Sequence, residues 1–215
     1  MKNIKLSYPA YSIIGSMLLG FTLGIIAKLL DENVRYFSLF FLGYIGGQLS
    51  IWIVIASLLT VYSKTPLIAS MKVFFFFMSM LVAYYTYTVL FLGFNPKSQI
   101  IFWGICGLIS PLCAYILWQT KKTEKLSILI TALPVSLILV EFYLLPSIGE
   151  IMFELGEHSI TLTHLIYIIF AFILAGLIPT NKKYCIPVIV LSLFLSYFLY
   201  KIELIRLIFD GYYTF

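Results

Sequence analysis

Glu141 is the one carboxylate set well inside a long apolar stretch, sixteen residues into the run that begins at Leu126. An ionisable group in such a run costs at least ~2–3 kcal/mol at the centre of a bilayer and by default marks a site that handles a proton, a cation or a solute. Closer to the membrane surface the same carboxylate can instead reach water, and both readings stay open from sequence. A second set of polar side chains is aromatic or amide. Gln48 and Trp52 fall at i, i+4 on one helical face; Tyr84, Tyr87 and Thr88 share another, with Tyr85 beside them. A buried phenol or indole needs a hydrogen-bond partner. These residues therefore either tie helices together or line a cavity, and Gln48, Trp52, Tyr84, Tyr87 and Glu141 make the candidate substrate-binding set.

Pro111 and Pro134 interrupt two consecutive apolar runs, eight residues before Gln119 and eight residues after Leu126. At about 1.5 Å of rise per residue both lie roughly 12 Å from the shared end of a helical hairpin. Each deprives a carbonyl one turn back, at Gly107 and Ile130, of its helical donor. Ser110, Thr131 and Ser136 are near enough to compensate. Broken helices at membrane depth line cavities, and they also occur in plain packed spans.

Metal chemistry has little to work with. Glu154 and His158 are spaced i, i+4 and His164 follows, but a metal centre needs three or more ligands, and the chain has two histidines. No metal, cofactor or nucleic-acid partner is expected. Gly-x-Ser-x-Gly, His-Glu-x-x-His and phosphate-binding loop patterns are absent, and Glu141, Glu157, His158 and His164 have no hydrolase-like spacing. The chain reads as a non-enzyme. Cys106, Cys113 and Cys185 are odd in number and sit in or beside apolar runs, which suits structural thiols rather than disulfides.

What must position these residues is a set of membrane helices. No Asp, Glu, Lys or Arg occurs between Lys5 and Lys28, Arg35 and Lys64, Lys72 and Lys97, or Lys97 and Lys121. Crossing about 30 Å of hydrocarbon takes roughly 20 helical residues, and lipid offers the backbone no hydrogen bonds, so such runs must be helices. The 62% hydrophobic and 11% charged composition leaves no room for a soluble domain among the 215 residues. The expected fold is an all-α polytopic bundle forming one transmembrane domain. Its seven expected spans are Pro9–Leu30, Tyr36–Val61, Val73–Gly93, Gln99–Gln119, Leu126–Leu145, Ile160–Ile178 and Cys185–Tyr200. Six is the alternative count, because the seventh run is short unless it continues through Lys201–Phe209. The first run is too long for a signal peptide and lacks a cleavage site, so it is expected to stay uncleaved.

Alternate loops carry nine and five basic residues. The richer side holds Lys2, Lys5, Lys64, Lys72, Lys121, Lys122, Lys125, Lys182 and Lys183. The other holds Lys28, Arg35, Lys97, Lys201 and Arg206. The positive-inside rule then sets the N-terminus in the cytoplasm. Between the fifth and sixth spans, Ile148, Ile151, Met152 and Leu155 recur at helical spacing with Glu150, Glu154, Glu157 and His158 largely opposite. This predicts a short amphipathic helix on the outer surface.

Gly20 and Gly24, and Gly43 and Gly47, repeat at four-residue spacing, which lets a helix backbone approach closely. Tight packing inside the bundle is the main expectation, with a homo-oligomer or a membrane partner on that face as the other. The glycine-rich first span, Trp52 and the Ala83-Tyr84-Tyr85 cluster resemble small bacterial multi-pass membrane proteins of uncharacterised function. The likeness covers about the first half of the chain and implies a bacterial plasma membrane but no activity. From all of this, two functions compete. One is a transporter or permease-like component that handles a small solute. The other is a non-catalytic membrane interaction, immunity or assembly protein.

Overall fold

A computed structural model describes residues 8–32, 49–122, 124–144, 152–155, 158–179 and 181–202. Its long elements are helices: α1 (Tyr8–Glu32), α2 (Leu49–Val61), α3 (Pro66–Leu92), α4 (Lys97–Trp118), α5 (Glu124–Leu144), α6 (Leu162–Leu177) and α7 (Cys185–Lys201). Short 3-10 turns at Gln119–Lys121 and Lys182–Tyr184 extend α4 and precede α7. Five of the helices are long and apolar enough to cross a membrane, namely α1, α3, α4, α5 and α7, the last counted from Lys182. The other two expected spans are represented by the shorter apolar helices α2 and α6. At 13 residues α2 rises only about 20 Å. Residues 36–48 of that expected span, with Gly43, Gly47 and Gln48, lie outside the described residues, as does the tail beyond residue 202.

Side chains such as Leu90, Phe91, Ile186 and Phe194 are at least two-thirds exposed. So much outward apolar surface suits contact with lipid rather than water. Inside, the described residues fall into two compact units. The first holds α1, α2 from Ile55 onward, α3 and α4. The second holds α2 up to Val54, then α5, α6, α7 and a small hairpin.

In the first unit α1 runs parallel to α3. A side chain at Gly20 would run into the Phe76 carbonyl, and one at Gly24 would meet the Met80 carbonyl at 2.5 Å. The Ser79 hydroxyl donates to the Met17 carbonyl at 2.8 Å. The glycine face of α1 is therefore filled by α3, so a partner or second copy would need another surface. α4 returns antiparallel to α3: Gly107 sits against Met78 and Leu81, and the Ser70 hydroxyl donates to the Pro111 carbonyl at 2.8 Å.

α3 begins seven residues before the expected Val73. Thr65 caps it by accepting the Ile68 amide at 3.2 Å, Pro66 supplies a preset φ in the first turn, and Gly93 closes it in the left-handed region at φ 64°. Lys72 thus lies within the helix and is buried, not in a loop. Lys28 is likewise inside α1. Removing one lysine from each side leaves eight basic residues against four, so the charge asymmetry keeps its direction.

In the second unit α5 and α7 run parallel. The Ser192 hydroxyl is shared between the Val188 carbonyl of its own helix at 2.7 Å and the Ala132 carbonyl of α5 at 3.3 Å, and farther along the pair the Tyr143 and Tyr200 rings lie 5.5 Å apart. Val135, Ile138, Leu174 and Val188 are fully buried between helices. Between α5 and α6 the expected amphipathic helix is replaced by antiparallel strands, β1 (Met152–Leu155) and β2 (His158–Thr161), with Leu155 opposite His158. Phe153, Ile160 and Thr161 favour extended backbone. Only two residues separate the strands, the length of a tight hairpin connection.

Candidate functional site

Near the end of α5, Glu141 is 3% exposed, and its hydrogen-bond partners among the described residues are neutral amides and hydroxyls. One carboxylate oxygen accepts the Leu49 amide at 2.9 Å, and the other accepts the Ser50 amide at 3.0 Å together with the Ser50 hydroxyl. Tyr167 of α6, fully buried, brings its phenol close to the carboxylate. The local reason is the start of α2. First-turn amides of a helix lack intrahelical acceptors, and the helix dipole concentrates positive partial charge there. Glu141 acts as an N-terminal cap supplied from a different helix. Among the described residues no cation pairs with it. Burying a bare carboxylate would be prohibitive; this one is tolerated because donors replace its hydration shell.

Its surroundings are polar and aromatic. The Phe142 ring meets the buried His164 ring edge-on at 4.9 Å, and His164 lies one turn before Tyr167 on α6. Trp52, also buried, follows Ser50 by two residues. Trp52 and Glu141 of the candidate set are therefore in the second unit, and Gln48 lies outside the described residues.

Tyr84 and Tyr87 belong to the first unit. There the Tyr84 hydroxyl donates to Asp31 at 2.9 Å, and Lys28 pairs with Asp31 at 3.2 Å and Glu32 at 3.8 Å. The Lys28 ammonium also stands 5.1 Å from the centre of the Tyr84 ring. The cation–π contact and the Tyr84–Asp31 hydrogen bond join the end of α1 to α3, while both ion pairs lie within α1. Tyr87 stacks at 4.7 Å on Phe91 in the following turn.

Both prolines lie inside continuous helices, Pro111 in α4 and Pro134 in α5. The carbonyl that Pro111 frees, at Gly107, accepts the Ser110 hydroxyl at 2.7 Å, as the spacing predicted. Glu154 and His158 fall on paired strands, where Glu154 faces Ser159 in the register; Glu157 lies outside the described residues.

Sequence reasoning singled out Glu141 but missed Ser50 and Tyr167. Ser50 is 91 residues away along the chain and leaves no local spacing to read. The expected first span, Pro9–Leu30, contained Lys28 but stopped short of Asp31 and Glu32, although the i, i+3 and i, i+4 spacing of the three is itself a helical signal. Comparison with protein-family models, curated proteins and solved structures gives no match.

Proposed function

We propose that this chain is a multi-pass protein of a bacterial plasma membrane, with a cytoplasmic N-terminus, that passes a small solute without chemically changing it. The observation that carries this reading is the buried Glu141 carboxylate set against the Leu49 and Ser50 amides at the start of α2. Helix ends at membrane depth are where solute-handling bundles hold anions and couple to ions. A proton arriving at Glu141 would turn one acceptor oxygen into a hydroxyl donor. Its hydrogen bonds to the Leu49 and Ser50 amides would then weaken, freeing the first turn of α2. Solute movement would be coupled to that release.

A second reading rests on the saturation of the same carboxylate. With three donors from α2, Glu141 also suits a permanent staple in a non-catalytic interaction, immunity or assembly protein.

Reconstitution separates the two. Purified protein in liposomes, given an imposed pH gradient and a panel of labelled amino acids, sugars, nucleosides and inorganic ions, is expected to accumulate one class. Glu141→Gln keeps the side-chain shape and is expected to abolish gradient-driven accumulation while sparing exchange of solute across the membrane. Transport by Glu141→Gln with unchanged rate and pH dependence would remove the coupling role. No accumulation across the panel would favour the staple.

A further inference from the structure

Buried hydroxyls in this bundle as a rule return a hydrogen bond to their own helix. Ser16 donates to Ile13, Thr60 to Ala56, Ser63 to Leu59 and Ser136 to Leu133, all at 2.6–2.8 Å. That return is the default for Ser and Thr in helices. Two residues of α5 depart from it. Ser127 and Thr131 are fully buried, and neither hydroxyl has a partner among the described residues.

The two exceptions are neighbours. At i, i+4 their β-carbons stand about 5–6 Å apart on one face of the helix. A single oxygen at about 2.8 Å from each hydroxyl spans that gap. Pro134, farther along this face, withholds the amide that would otherwise bond the Ile130 carbonyl, so an uncommitted acceptor adjoins Thr131. The two hydroxyl oxygens and the Ile130 carbonyl are neutral. Such a set suits a guest that both donates and accepts hydrogen bonds, and it is too weak to strip a cation of its hydration. Water has this character, and buried waters typically settle between two to four otherwise unsatisfied polar groups.

We propose that Ser127 and Thr131 form a buried site for one water molecule, hydrogen-bonded to both hydroxyls. Ten residues of α5, about 15 Å of rise, separate Thr131 from Glu141, and the fully buried Val135 and Ile138 lie between. The site is thus distinct from the carboxylate, and its test is independent of any transported solute.

Thermal unfolding of the full chain in detergent decides the matter. With a shared water, Ser127→Ala and Thr131→Val each lower Tm by about 2–4 °C, because each leaves the water short of a partner and the remaining hydroxyl exposed to that loss. The double variant is then no worse than either single one, since the whole site is gone. Thr131→Ser, which keeps the hydroxyl, holds Tm within a degree or so of the parent. A structure fine enough to show ordered solvent places density between the two side chains in the parent and Thr131→Ser, and none in the double variant. Single variants that raise Tm additively would mean dry, orphaned hydroxyls. Single variants that lower it additively would mean separate packing roles. Either result overturns the proposal.

Discussion

The two units bury charge by opposite means. In the first, Lys28 is buried and is neutralised by charges of opposite sign: Asp31, which is half exposed, Glu32, and the face of Tyr84. In the second, Glu141 is buried with no counter-charge among the described residues and is held by amides and hydroxyls. The first arrangement tolerates loss of a partner, because water and Glu32 stand by. The second does not, because removing the acceptor strands several donors at once in a site that solvent does not reach. The parallel helices of both units bring a serine hydroxyl to a carbonyl of the neighbouring helix, and between α1 and α3 glycine adds a close approach of backbones.

The largest effect should follow from Glu141→Ala. Stranding the Leu49 and Ser50 amides and the Ser50 hydroxyl should cost about 3 kcal/mol or more, measured by unfolding in mixed detergent micelles. A loss below about 1 kcal/mol would mean that the start of α2 finds other acceptors, and the contrast between the units would collapse.

Next comes Gly20→Val. Forcing a branched side chain onto the Phe76 carbonyl should cost about 2 kcal/mol by pushing α1 from α3. Gly15 provides the control: nothing lies within 4 Å of where its side chain would go. Gly15→Ala should therefore stabilise α1 by a few tenths to about 1 kcal/mol through helix propensity alone. Equal effects at both positions would show that the close approach does not set the packing.

Ion pairing in the first unit should matter less. Asp31→Asn is expected to cost below about 1 kcal/mol, since the aspartate is half exposed and Glu32 remains beside Lys28. Raising the salt concentration should shrink that cost and leave the Glu141→Ala penalty unchanged. Smallest of all, Ser192→Ala should cost about 0.6 kcal/mol, the usual worth of one interhelical hydroxyl bond in a membrane protein. A loss above about 2 kcal/mol there would place α5–α7 packing on a par with the carboxylate.

Charge-free runs made the membrane helices legible, because exclusion of charge is imposed by lipid along a whole span. Boundaries read from charges were less secure. Lys72 looked like a loop marker, yet it lies in α3, where a long aliphatic stem can be covered while its ammonium finds a partner. The Thr65-Pro66 pair held the better signal, a cap followed by a residue with preset φ. The hairpin was misjudged because Met152 and Leu155 fit helical spacing, while the i, i+2 pair Phe153 and Leu155, which shares one face of a strand, went unread. Half of the candidate site was visible: an isolated carboxylate in an apolar run announces itself. Its donors were not, because helix-start amides belong to every sequence alike, and only the fold decides which acceptor they meet.

The 92 residues between Leu49 and Glu141 also have a meaning in time. A ribosome adding roughly 5–20 residues per second takes about 5–20 s to cover that distance. Throughout that interval α2 has been made but the acceptor for its leading amides has not. The nascent chain must carry an unlatched segment while α3, α4 and most of α5 are being synthesised. Latching of α2 is therefore scheduled by the emergence of a single carboxylate late in α5, and any pause in translation before residue 141 prolongs the exposure of α2 to the insertion machinery and to membrane proteases.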